Sequence, residues 1–366
     1  MITIYFIILI TFIISLAITP LVIKFAIKHG LVDIPKDARR VHSKPMPRVG
    51  GLAIIISVAL GLGIYFLITM NATPISNLSL KGNMQFLGYL IGALFIALMG
   101  IIDDAINLRA RQKFIFQLFA GITVFACGIR IQVGDIAVLN GLVEQILSFI
   151  VTMFWVIGLT CAVNIIDGLD GLAAGICAIA SISLLTIFMF TSASLEAIII
   201  TAVLVGSLLG FIPYNFNPAK TFMGDVGSNF LGFTLSVVSI LGFAKGYTLV
   251  AIIVLILALG VPIFDTLFAM VRRFIAGRPL LQPDGAHIHH RLLKRGLNQK
   301  QAVYILYTIT SILCIISVTL VSKGVYKVIL LIIATILFII LGIINTIRMK
   351  NIKKLEPVES NENVNN

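Results

Sequence analysis

Four short polar runs interrupt an otherwise apolar chain, and each has residue types that could do chemistry. The first is Asp103-Asp104, adjacent carboxylates that repel each other and need a cation or a proton to coexist. Arg109, Arg111 and Lys113 follow, so the plainer alternative is a solvated helix end neutralised by its own basic residues. The second run carries Asn164, Asp167 and Asp170 at i, i+3 and i+6, a spacing that shares one face of a helix. Gly168 and Gly171 would loosen that helix and let a ligand approach the backbone, although Asn, Asp and Gly are also the residues of a tight turn. The third is Phe222-Met223-Gly224-Asp225-Val226-Gly227-Ser228-Asn229, where Asp225 stands at the start of an apolar run. A helix starting there would turn its N-terminus toward an anion, and a plain N-cap is the alternative role for Asp225. The fourth, Asp284-Gly285-Ala286-His287-Ile288-His289-His290-Arg291, holds three of the five histidines. No cysteine and no in-register carboxylate accompanies them, so the run suits contact with phosphate better than a zinc site.

These runs need elements to position them, and composition says what those are. The chain has 366 residues, 59% hydrophobic and 11% charged. Soluble domains run at about 45–50% apolar and about 25% charged. So few charges cannot cover a water-facing surface, which excludes a soluble enzyme, a disordered protein and a nucleic-acid-binding domain. Apolar stretches near 20 residues read as membrane-spanning helices. Eleven are expected, at about 2–23, 50–70, 86–102, 114–129, 147–164, 171–191, 195–213, 228–243, 248–270, 302–321 and 326–347. The fold class is therefore all-α, a polytopic integral membrane protein. A single membrane-embedded domain is expected over 1–350, with a disordered tail over 351–366. The first stretch has no basic n-region or small-residue cleavage site and reads as a retained anchor. The four cysteines lie in apolar runs, with no metal-binding spacing.

Of the 27 Lys and Arg residues, 22 fall on the side that holds the loops at about 24–49, 103–113, 164–171, 214–227 and 271–301 and the tail. By the positive-inside rule that side is cytoplasmic, with the N-terminus outside and the C-terminus inside. Twelve of the 15 acidic residues, Asp33, Asp37, Asp265 and Asp284 among them, share that side, a bias that topology does not require. Acidic residues at a membrane face are costly and mark function. A crowded set of carboxylates with Asn164 and nearby cations suits Mg²⁺, with Mn²⁺ as a substitute, bound through one or two carboxylates plus substrate phosphates. That is the equipment of phosphoryl transfer between a membrane lipid and a soluble activated compound. The basic, Pro- and Gly-rich run from Arg39 to Gly51 could hold a lipid phosphate, or serve only as a topology signal. A transporter of an anionic substrate would call for paired broken helices at the midplane and repeat symmetry, and neither is visible.

Taken together, Asp103-Asp104, the NIIDGLDGLAAG block from Asn164, FMGDVGS from Phe222, HIHHRL from His287 and the VHSKPMPRVGG loop resemble the bacterial polyprenyl-phosphate N-acetylhexosamine-1-phosphate transferases over about 30–305. The resemblance implies eleven spans and roles residue by residue. It makes Asp225 the Mg²⁺ ligand, with Asn164 beside the metal and diphosphate. It makes Asp103 a base toward the lipid phosphate and Asp104 its catalytic neighbour. Asp167 and Asp170 fall around the nucleotide, and His287, His289, His290 and Arg291 fall at the sugar and diphosphate. Ile288, which interrupts the histidines, and Arg291 directly after them resemble the branch that uses UDP-GlcNAc and undecaprenyl phosphate at the cytoplasmic face of the bacterial cell membrane. The branch that transfers phospho-MurNAc-pentapeptide is the alternative. Membrane lipids are implied as surroundings and nucleic acid is not; a homodimer is left open.

Overall fold

A computed structural model describes residues 2–33, 46–72, 80–133, 141–191, 193–242, 256–275 and 287–322, with 327, 329 and 333. Long helices dominate it because the apolar runs leave the backbone no partner but itself inside a bilayer. The helices are α1 (Ile2–Lys28), α2 (Gly51–Ala72), α3 (Leu80–Ile106), α4 (Ala110–Ala126) and α5 (Leu142–Ile166). They continue as α6 (Leu172–Thr191), α7 (Leu195–Asn215), α8 (Gly224–Gly242), α9 (Gly260–Ile275), α10 (Ile288–Lys294) and α11 (Gln299–Val321). Between α1 and α2 lies a two-residue antiparallel pair, β1 (Val32–Asp33) with β2 (Met46–Pro47), in which Val32 faces Pro47. Eight of the described helices are long and apolar enough to cross a membrane. They are α1, α2, α3, α5, α6, α7, α8 and α11, and the chain is an all-α, multi-pass membrane protein. The fourth expected span corresponds to α4, which has 17 residues. The ninth is described from residue 256 onward, ending in α9. The eleventh lies almost wholly outside the described residues, as do the tail from 351, Asp284, and Arg39 to Lys44.

The bundle is built around α8. Every residue from Val226 to Gly242 is buried, which explains why this helix can carry Ser228, Asn229, Thr234, Ser236 and Ser239 where a lipid-facing helix could not. Helices α3 and α5 pack along it, α2, α6 and α7 complete its surroundings, and α1 closes over α7 and α2. The outer faces of α1, α4 and α5 expose Leu9, Leu21, Phe119, Ile150 and Phe154, as suits contact with lipid tails. One end of the bundle collects the C-termini of α3 and α5 and the N-termini of α2, α4 and α8. All four polar runs are attached to that end or to the loops leaving it.

Candidate active site

The centre of that end is a set of three charged groups from three helices. Asp103 lies in the last turn of α3 and is 2% exposed. One carboxylate oxygen accepts a 2.7 Å hydrogen bond from the Leu108 N–H, where the chain turns toward α4. The other forms an ion pair with the Lys113 ammonium, in the first turn of α4. Lys113 Nζ also stands 2.9 Å from Asp225 Oδ2, in the first turn of α8. One ammonium thus bridges two carboxylates from helices far apart in sequence, and it neutralises part of a charge that would otherwise be uncompensated. Lys113 was absent from the expected site. Its position beside other loop cations made it indistinguishable from the positive-inside signal.

Asp104 does a different job from its neighbour. Its oxygens accept hydrogen bonds from the backbone N–H groups of Asp225 at 3.0 Å and Val226 at 3.1 Å. It is therefore the cap of α8, supplied from another helix, and it satisfies donors that begin a helix without a partner. Arg48 Nε lies 3.8 Å from Asp104 Oδ1. Gly224, at φ +74°, provides the turn into α8, and a side chain there would overlap the Arg48 carbonyl and the Asp104 carboxylate. The segment after β2 is sewn onto the same turn. Phe222 N donates to the Pro47 carbonyl at 2.8 Å, Gly50 N to the Phe222 carbonyl at 3.0 Å, and Gly51 N to the Met223 carbonyl at 2.8 Å. The basic N-terminal loop thus reaches the acidic centre through Arg48.

Asn164, in the last turn of α5, accepts a 2.7 Å hydrogen bond from Ser228 Oγ, one turn after Asp225. Asn229 Nδ2 donates to the Asp225 carbonyl at 2.7 Å, and Gln117 on α4 reaches Asn229 at 3.4 Å. The shared helical face expected for Asn164, Asp167 and Asp170 is not formed. Helix α5 ends at Ile166, Asp167 is its C-cap, and Gly171 at φ +76° turns the chain into α6. Asp170 faces away, accepting from Asn217 Nδ2 at 2.8 Å and the Ala219 N–H at 3.2 Å, so it anchors the 216–220 turn. Asp167 keeps to the acidic centre. Loss of hydration, with the charges of Asp225, Asp104 and Asp170, pushes its carboxyl up to about 8.

The histidine run lies on α10, which packs against α11. His289 is 2% exposed and its ring occupies the space that a side chain at position 168 would fill, which couples α10 to the loop after α5. Burial, with His290 and His287 nearby, lowers His289 to about 4, so it is neutral at pH 7. His290 and Arg291 are exposed. His287 is buried against Asp265 of α9, its Nδ1 3.0 Å from Asp265 Oδ2. Asp265 is a second residue missing from the expected site, hidden in a run that reads as a span.

The donor set suits a hard cation. Among the described residues no three His, Cys, Asp or Glu side chains form a ready chelate. Asp225 and Asn164 are oxygen donors joined through α8, and Lys113 shows that a positive charge is accommodated between Asp103 and Asp225. One or two carboxylates, with water and substrate phosphate completing the shell, is the usual Mg²⁺ arrangement.

The chain is similar to known membrane transferases. Residues 86–243, which hold Asp103, Lys113, Asn164 and Asp225, match the model of glycosyl transferase family 4. The chain is 39% identical to a probable undecaprenyl-phosphate N-acetylglucosaminyl 1-phosphate transferase of Bacillus subtilis, over 92% of this chain and 93% of that protein. It is 33% identical to a decaprenyl-phosphate N-acetylglucosaminephosphotransferase of Mycolicibacterium smegmatis, over 77% and 73%. It is 32% identical to a phospho-N-acetylmuramoyl-pentapeptide-transferase of Enterococcus faecalis, over 64% and 74%.

Proposed function

The chain belongs to the polyprenyl-phosphate sugar-1-phosphate transferases of glycosyl transferase family 4, and we propose that it moves N-acetylglucosamine-1-phosphate from UDP-GlcNAc to undecaprenyl phosphate. The products are undecaprenyl-diphospho-GlcNAc and UMP, a first step toward a cell-envelope polysaccharide. The observation that carries this reading is the Asp103–Lys113–Asp225 bridge, which joins three helices at the polar end of the bundle, where a lipid phosphate and a soluble diphosphate can meet. An oxygen of the lipid phosphate bonds to the β-phosphorus of UDP-GlcNAc. The bond from that phosphorus to the oxygen bridging the α-phosphate breaks, and UMP leaves with the electron pair.

Asp225 and Asn164 would hold Mg²⁺, or Mn²⁺ in its place, and the bound ion neutralises charge on the donor diphosphate. Lys113 adds a fixed positive charge at the same point and is oriented by Asp103. The second pKa of a phosphate monoester is near 6, so the acceptor is mostly dianionic at neutral pH and attacks directly. Asp103 takes the proton of any acceptor that arrives as the monoanion. Asp104 holds α8 in place, and through it Asp225. Asp167 faces the nucleotide, and Asp170 shapes its pocket through the 216–220 turn. His287, His289, His290 and Arg291 hold the sugar and diphosphate. The unequal distribution of Lys and Arg supports a cytoplasmic site in the bacterial cell membrane, with the N-terminus outside and the C-terminus inside.

The similarity to the Enterococcus protein favours phospho-MurNAc-pentapeptide transfer as the second reading. Purified protein, undecaprenyl phosphate and either donor separate the two by UMP release. Efficient release with UDP-GlcNAc and little with UDP-MurNAc-pentapeptide is expected, and the reverse would overturn the donor assignment alone. Chelation by EDTA should abolish release until Mg²⁺ is restored. Full activity in excess EDTA would remove the metal from this reading.

A further inference from the structure

Among the described residues, the proposed reaction leaves one buried carboxylate unused. Asp265, 1% exposed, sits in the first half of α9. An isolated buried carboxylate is costly, so its partners tell what it is for. Asp265 Oδ1 accepts a 2.9 Å hydrogen bond from the Ile288 N–H, and Oδ2 lies 3.0 Å from His287 Nδ1. Both partners belong to the histidine run at the start of the short helix α10. The His287 ring lies parallel to that of His289, with 6.0 Å between centroids and 6° between planes. His289 in turn packs on the backbone of Gly168, next to Asp167. Asp265 therefore fixes the first member of a stacked pair that reaches the loop after α5.

We infer that Asp265 is a positioning residue that acts through His287, deepening the donor-binding reading proposed above. An ionised carboxylate only accepts hydrogen bonds, so the proton between the two groups belongs to His287 Nδ1. That assignment leaves Nε2 an acceptor, offered to a hydroxyl or N–H of the donor's sugar, which the opposite tautomer could not accept from. A carboxylate that sets the tautomer and ring orientation of a working histidine is a recurring device at sites with other chemistries. A cap alone would need one acceptor atom. The second oxygen, spent on His287, is what the inference explains.

Asp265→Asn tests it. The asparagine keeps an acceptor for the Ile288 N–H and turns an amide donor toward His287, so Nδ1 must accept and the proton moves to Nε2. Turnover of UDP-GlcNAc should fall about ten- to a hundredfold, the usual cost of losing a partner that orients a histidine. The melting temperature in detergent should stay within a few degrees of the parent. In the double variant Asp265→Asn/His287→Ala the loss should be no larger than in His287→Ala alone. Multiplying losses, unchanged turnover in Asp265→Asn, or a loss matched by unfolding would each overturn the inference. ¹⁵N-histidine NMR reads the tautomer without any donor. His287 should carry its proton on Nδ1 in the parent and on Nε2 in Asp265→Asn, and an Nε2–H tautomer in the parent would defeat the inference even if the donor assignment stands. If the parent turns over no UDP-GlcNAc, the reaction reading fails while the NMR result still decides this one.

Discussion

Lys113 and Asp104 divide the acidic centre into a part that meets substrate and a part that holds α8, and substitutions should divide the same way. Asp225→Asn removes a charge paired with Lys113 but leaves intact the hydrogen bonds that the Asp225 and Val226 N–H groups donate to Asp104. UMP release should fall at least about 10²-fold, the scale of losing one preorganised electrostatic group, with an almost unchanged melting temperature. Asp104→Ala strips two backbone donors of their acceptor and should lower stability by about 1–3 kcal/mol, visible as earlier melting. A stable Asp104→Ala beside an unfolded Asp225→Asn would contradict the division. Asp167 makes a pH prediction. Its carboxyl lies near 8 in the folded protein, above its ordinary value, so the folded state binds more protons than the unfolded one. Stability from this group is present at low pH and is lost as pH rises toward and through 8. In Mg²⁺-free detergent, Asp167→Asn should therefore gain in melting temperature over the parent between pH 5 and pH 8.5, and a gap that shrinks would refute the assignment. Asp103, Asn164 and Asp225 were legible from sequence because polar residues are rare here and their spacing is unusual. Lys113 was not, since one of its two partners, Asp225, is 112 positions away and its own neighbours are ordinary loop cations. That Asp170 leaves the helical face shared with Asn164 was not legible, because its hydrogen-bond partners, Asn217 and Ala219, lie beyond an entire helical hairpin.

At the scale of elements, the apolar runs marked the helices well, because hydropathy reports backbone self-sufficiency in lipid directly. Their ends were less legible. Helix α3 continues to Ile106, past the carboxylates expected to terminate its span, because Asp104 finds helix donors in α8 rather than water. Which faces meet was hidden as well, since lipid and protein interior look alike to an apolar side chain. The contact of α7 with α1 illustrates this. Gly206 and Gly210 on α7 lie against the backbone of α1 around Ile8 and Phe12, with Ser15 Oγ bonded to the Ser207 carbonyl at 2.7 Å. Small residues four apart let two membrane helices approach this closely. Gly210→Leu should force α1 away and lower the melting temperature by at least several degrees, whereas Gly63→Leu, whose side chain would meet open space, should not. Equal melting of the two variants would show that the α1–α7 contact contributes little.

At the scale of the whole molecule, the account depends on a single polar end facing the cytoplasm. In a cysteine-free background, a membrane-impermeant thiol reagent should label Glu196→Cys in intact cells. It should label Lys220→Cys only after permeabilisation. The opposite pattern would turn the protein over and leave the site without access to a cytoplasmic nucleotide. Charge counting speaks to this scale alone: topology is a sum over loops, whereas a site is a set of particular contacts. The central claim is that phosphorus, together with the sugar, passes to the lipid. Purified protein given undecaprenyl phosphate and UDP-GlcNAc labelled with ³²P in the β-phosphate tests it most directly. The label should appear in the organic-extractable lipid, in step with unlabelled UMP. Label retained in UDP while the sugar alone moved to the lipid would contradict the claim.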